Sequence, residues 1–222
     1  MDIANFKLQI AKVKIFQFSF FILLFAFLLS SCVSFQVGGE IAKGRLELTR
    51  GDPKVSLPYF QRAAALDPNY ITNFTVLREG VWTYVGRANY ASGNLPEARK
   101  ALEQARSRYE HDYLARLYLG LVLSRQGERD RGSKEIAAGL RGLGEWFGYI
   151  EKYVQEGRFW DPTKQIQGEM RKSLAMIDGR EINWPELTEN VEWIGIEMER
   201  EIDRVIEEER EHRLKESETE RP

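Results

Sequence analysis

Three side chains in the 222-residue chain have the chemistry of a soft nucleophile or an imidazole base: Cys32, His111 and His212. They lie far apart, and neither histidine has further metal-ligating residues at a spacing that would close a coordination shell. Carboxylates are plentiful, 34 Asp and Glu against 32 Lys and Arg. They are scattered, however, and mostly accompanied by a basic residue, whereas hydrolysis by a carboxylate pair needs two acids at a set separation. Gly38-Gly39 has neither the following pattern nor the preceding strand of a phosphate loop. The expectation is therefore no catalytic site, no metal and no cofactor. A net charge of −2 with mixed signs lacks the clustered basic face that nucleic acid requires, so no nucleic-acid partner is expected. One cysteine cannot make an internal disulfide. What Cys32 can do is present a thiolate, the form of cysteine that attacks an electrophile.

The residues around Cys32 say what would use it. Lys7, Lys12 and Lys14 make the start basic, and from Ile15 to Leu29 only Gln17 and Ser19 are polar. Such a run forms a helix of roughly 22 Å, short of the ~30 Å hydrocarbon core of a bilayer. A basic start, a short apolar stretch and small residues after it describe a secretory signal peptide. Its end, Leu29-Ser30-Ser31-Cys32, resembles the lipobox of bacterial lipoproteins. That resemblance implies cleavage between Ser31 and Cys32, a diacylglyceryl group on the sulfur (a covalent lipid of the palmitate type) and acylation of the new N-terminus. Val33 stands where an Asp would favour inner-membrane retention, so the resemblance implies an outer-membrane anchor facing the periplasm. Cleavage would remove three lysines and one aspartate, leaving 191 residues and taking the net charge from −2 to −4. Residues 1–31 are thus expected as the leader and 32–36 as an acylated tether.

Beyond the tether, glycines set the organisation of the chain. Gly44 and Gly51, Gly86 and Gly93, and Gly120 and Gly127 are each seven apart, and Gly86 to Gly120 spans 34 residues. From Gly44 to Gly86 is 42, so eight residues are inserted between the first two units. The period and its residues resemble the tetratricopeptide repeat. Trp82, Val85, Gly86, Ala98, Leu102 and Ala105 stand where that family places its Trp, Leu, Gly, Ala, Phe and Ala. Gly44, Phe60, Ala63 and the closing Pro68 match in the first unit, with Ser56 for Ala; Gly120, Ile136 and Gly139 match in the third. Gly44, Gly86 and Gly120 would let paired helices approach, and Gly51, Gly93 and Gly127 would end each first helix. Asp52 and Asn94 read as N-caps, with Pro53 and Pro96 in the first turns. The fold class is therefore all-α: an α-solenoid of about three helix pairs over 37–146 (37–70, 79–112, 113–146), then a helical cap over 147–222. In the insertion, Phe74, Leu77 and Val81 keep helical spacing and favour a longer first helix of the second unit.

A solenoid needs its last apolar face covered, and residues 145–154 can do that. Asp161 and Pro162 read as the start of another helix. The final helix, with Pro185 near its start, carries Leu187, Val191, Ile194, Met198, Ile202 and Val205 at steps of three or four. It either packs on the solenoid or serves as a partner helix or oligomer seam; Trp193 and Ile196 widen its apolar face. Beyond Ile206 charge predominates and a frayed tail is expected. The resemblance implies a concave groove lined by Arg45, Tyr84, Arg87, Tyr90, Leu121 and Arg125, a protein partner held there, and no clamp for a C-terminal carboxylate. It implies a lipid-anchored adaptor for envelope assembly, pilus biogenesis or secretion. An accessory subunit binding a solute-binding protein, or less readily an envelope hydrolase, are the alternatives.

Overall fold

The computed structural model describes residues 33–72 and 75–219. The leader, Ser31, Cys32 and Phe74 lie outside the described residues. Among those described, eight α-helices and one 3-10 turn run in order: α1 (33–49), α2 (Pro53–Leu66), α3 (Val81–Ala91), α4 (Leu95–Arg108), α5 (Tyr113–Arg125), α6 (Arg129–Tyr153), the 3-10 turn Gln155–Phe159, α7 (Gln165–Ile177) and α8 (Trp184–Thr219). Helices α1/α2, α3/α4 and α5/α6 form three successive pairs, with no strand among the described residues. The fold is an all-α, tetratricopeptide-like solenoid.

The glycine pattern has a direct physical basis. Gly51, Gly93 and Gly127 sit at φ +83°, +78° and +90°, the left-handed region that glycine enters without steric cost. Within the helix pairs a missing Cβ sets the approach. A Cβ on Gly120 would stand 2.5 Å from Ile136 Cγ1 and 2.7 Å from the Gly132 carbonyl oxygen, so α5 and α6 touch backbone to backbone. Asp52 and Asp112 cap α2 and α5 by accepting from the amides of Val55 and Ala115. Asn94 precedes α4 but makes no side-chain cap; its amide instead reaches the Asn89 side chain.

Several boundaries differ from the expected ones. Residues 33–36, expected as tether, are already helical. The expected extension of the second repeat's first helix is absent: Tyr70 and Thr72 pair with Val81 and Glu79 across an isolated antiparallel bridge, Ile71 to Gly80. The bridge wins over helical spacing because it satisfies backbone groups at both ends of the insertion and turns Glu79 inward, where it is 1% exposed. The solenoid boundary at 146 falls inside α6, which continues to Tyr153, so residues 145–154 lengthen the last repeat helix rather than forming a separate cap. Asp161 does not directly precede α7. It adopts a left-handed φ of 44°, and its carboxylate accepts from the amides of Ile166 and Gln167 across the intervening turn. Finally, the charged tail is helical through Thr219.

Candidate functional site

The concave side of a helix-pair stack is formed by the first helix of each pair, here α1, α3 and α5. Helix α8 crosses all three. Its apolar stripe is buried throughout, Leu187, Val191, Ile194, Met198 and Val205 at 0% exposure and Ile202 at 3%, in one core with Leu117, Leu121 and Tyr118 of α5. Gly195 allows the closest approach: a Cβ there would meet the Tyr118 hydroxyl at 2.4 Å.

A second stripe on α8 carries charge. Glu192, Gly195, Glu199 and Asp203 step by three and four residues, and each meets a groove residue. The Arg45 guanidinium donates from Nε to Glu199 at 2.6 Å and from Nη2 to Asp203 at 2.8 Å. Arg87 donates to the other Glu199 oxygen, to Glu79 at 3.1 Å and to the Gly195 carbonyl at 3.2 Å. Tyr84 donates to Glu79 at 3.2 Å. Farther along, the Tyr90 hydroxyl and Arg125 share one Glu192 oxygen, and the Arg125 guanidinium lies 4.5 Å over the Tyr90 ring. Five of the six positions expected to line an open groove are therefore buried: Arg45, Tyr84, Arg87 and Tyr90 in this polar seam or next to it, and Leu121 in the apolar core. Only Arg125 is substantially exposed. The groove assignment is corrected accordingly: these side chains face the chain's own last helix, because α8 brings acidic groups at the right pitch to neutralise two buried arginines.

The electrostatics explain why the seam needs two carboxylates of different character. Burial raises the Glu199 carboxyl, but Arg87 and then Arg45 outweigh it and hold the group below the ordinary carboxylate range. Glu79 is as deeply buried with weaker compensation; burial first and repulsion from Glu199 second push it up to about 8. Near neutral pH the seam thus holds two guanidinium groups against Glu199 and the exposed Asp203, with Glu79 mostly protonated. Asp112, also buried, accepts from the Gly80 and Ala115 amides and the Thr83 hydroxyl, which ties the insertion to α5.

Beside α8 a cleft of about 440 Å3 stays open on the concave side. Leu48, Tyr90, Arg125, Glu192, Ile196 and Arg200 line it, with Arg87 and Glu199 among its walls. Ile196 is 45% exposed there. The arrangement suits contact with a polypeptide carrying an apolar anchor between charged neighbours; among the described residues it brings no group of three or more metal-ligating side chains together. Sequence reasoning missed Glu79, Glu192, Glu199 and Asp203. The α8 set steps by three and four beside the apolar stripe, but other acids of the same helix do so too, and the spacing alone does not single it out.

Residues 86–132 match the family model for the tetratricopeptide repeat, which covers the second half of α3, all of α4 and α5, and the start of α6. No curated protein matches the chain. Repeats of this kind are protein-interaction scaffolds, and this chain carries one within an all-α solenoid whose concave face its own last helix fills.

Proposed function

We propose that the chain is a lipid-anchored interaction scaffold at a bacterial envelope membrane, facing the periplasm, that holds a partner protein during envelope assembly or secretion. The observation that carries the reading is the Leu29-Ser30-Ser31-Cys32 run closing a short leader, followed by a stack of paired helices. Two or three acyl chains at Cys32 would make a stable anchor where one binds reversibly. Val33 in the next position favours the outer membrane. Since α8 fills the groove, the partner engages the cleft that remains beside it, with Ile196 and Arg200 at its rim.

Two experiments test this separately. Metabolic labelling with an alkyne fatty acid is expected to mark the native chain and to be lost, with membrane association, in Cys32→Ser; an unlabelled chain that retains residues 1–31 overturns the anchor. A photo-crosslinker at Ile196 or Arg200 is expected to capture one defined periplasmic or membrane protein, and the same group at exposed Lys54 is not. Capture of a solute-binding protein would assign the scaffold to uptake rather than assembly. Equal capture at all three positions removes the cleft as the contact.

A further inference from the structure

A second concavity, sharing no residue with the cleft beside α8, lies where the insertion, the α4–α5 turn and α6 meet. It has a volume of about 570 Å3, and its walls include Arg78, Tyr109, His111, Tyr113, Trp146 and Tyr149. Five of these six carry aromatic rings. Tyr109, His111 and Tyr113 form an edge-to-face row, with centroids 6.0 Å and 6.2 Å apart and interplanar angles of 76° and 64°. The rings are held from behind. Tyr113 packs over Gly142, where a Cβ would meet the ring at 2.2 Å. Trp146 abuts the buried Trp160 at right angles with centroids 4.9 Å apart. Tyr149 is 59% exposed and pairs with Tyr153 on the same helix.

We propose that this aromatic cleft, formed by Tyr109, His111, Tyr113, Trp146 and Tyr149, binds a proline-rich segment of a partner in the polyproline II conformation. The spacing fits. A polyproline II strand has about three residues per turn at about 3.1 Å each, so residues i and i+3, which share a face, lie about 9.3 Å apart; three rings with successive centroids 6.0 Å and 6.2 Å apart are long enough as a row to seat one such turn. The polar chemistry fits as well. Proline has no N–H, so a proline-rich strand offers apolar rings and carbonyl acceptors. The cleft answers with donors: Arg78, the His111 ring and the Tyr109 and Tyr149 hydroxyls, the last two without a hydrogen-bond partner among the described residues. Its one carboxylate is Glu145. Rings fixed against Gly142 and Trp160 lose little freedom on binding, and a preformed polyproline strand loses little itself.

Calorimetric titration of the detergent-solubilised full chain with decaproline, a length-matched Gly-Ser peptide and an N-acetylglucosamine tetrasaccharide tests the proposal. Saturable binding of decaproline alone is expected. Tyr149→Ala, at an exposed position, should raise its Kd about two- to twelvefold, the range of one lost aromatic contact, with the melting temperature unchanged. Tyr109→Ala should do the same, and neither should alter labelling at Cys32 or crosslinking at Ile196. No saturable heat with decaproline, equal binding of the Gly-Ser peptide, preference for the tetrasaccharide, or a Kd indifferent to both substitutions each overturns it.

Discussion

Replacing Glu79 by Gln should stabilise the protein at slightly alkaline pH and do much less at pH 5. The side chain is 1% exposed, between Tyr84 and Arg87. Its folded pKa is raised from 4.5 to about 8 by burial and by Glu199. For an acid raised on folding, the native state binds the proton more tightly than the unfolded state across that window. Stability is therefore lost as pH rises from about 4.5 to about 8. Between pH 5 and pH 7.5 this amounts to on the order of 3 kcal/mol, from 1.36 kcal/mol per pKa unit. Glutamine has the shape of the protonated carboxyl, keeps an acceptor oxygen towards Arg87 while its NH2 donates to the Tyr84 hydroxyl, and cannot ionise. Glu199 is lowered, so its contribution is lost only as pH falls below the ordinary carboxylate range, outside this window. Urea unfolding of wild type and Glu79→Gln at pH 5 and pH 7.5 measures the difference directly. The variant should gain on the wild type by roughly 3 kcal/mol between the two pH values. A constant difference, or one that shrinks with rising pH, refutes the assignment of Glu79 as the neutral member of the seam.

Other substitutions probe other joints. Gly195→Leu forces a side chain into the Tyr118 hydroxyl and should cost about 1–3 kcal/mol in urea unfolding, whereas Gly168→Ala, with no atom within 4 Å, should cost nothing measurable. Arg45→Met leaves Glu199 with one fewer guanidinium in a buried site and should destabilise by about 3–5 kcal/mol, read as the same midpoint shift. Ending the chain after Arg210 removes only residues beyond the buried stripe and should change stability by less than about 1 kcal/mol in thermal melts.

The repeat was legible because its marks are local. A left-handed turn needs glycine wherever it occurs, so Gly51, Gly93 and Gly127 could be placed from the chain alone, and Gly86 and Gly120 followed from their spacing to them. The α8 stripe was legible for the same reason, since Leu187 to Val205 is a periodicity within one helix. Its destination was not. Glu199 lies 154 residues from Arg45, and on a helix with so many solvent-facing carboxylates nothing local distinguishes the few that meet buried arginines. The insertion misled in a related way. Leu77 and Val81 have helical spacing, and Leu77 is buried, but the bridge from Ile71 to Gly80 depends on a partner segment that periodicity does not detect. The aromatic cleft is likewise assembled from Tyr109, Tyr113 and Trp146, whose meeting needs the α5–α6 packing set by Gly142.

The occupied groove changes where a partner can bind, and the magnitudes decide it. Lifting α8 away would expose six large apolar side chains, each worth about 1.5–3 kcal/mol when buried, or between about 9 and 18 kcal/mol together. It would also break the ion pairs of Arg45 and Arg87 with Glu199. Domains of this kind are stable by about 5–15 kcal/mol in all, so displacing the helix and unfolding the domain are comparable events. A competing helix would have to reproduce both the apolar stripe and the Glu192, Glu199 and Asp203 ladder before it gained anything. The face that elsewhere serves as a binding groove is here part of the core, and α8 is part of the domain rather than a removable ligand. Recognition is left to surfaces α8 does not cover: the cleft along its flank, with Ile196 exposed, and the aromatic cleft between the insertion and α6. Substitutions at Arg87 or Tyr90 therefore test folding, and only substitutions at rim positions such as Ile196, Arg200 and Tyr149 test binding.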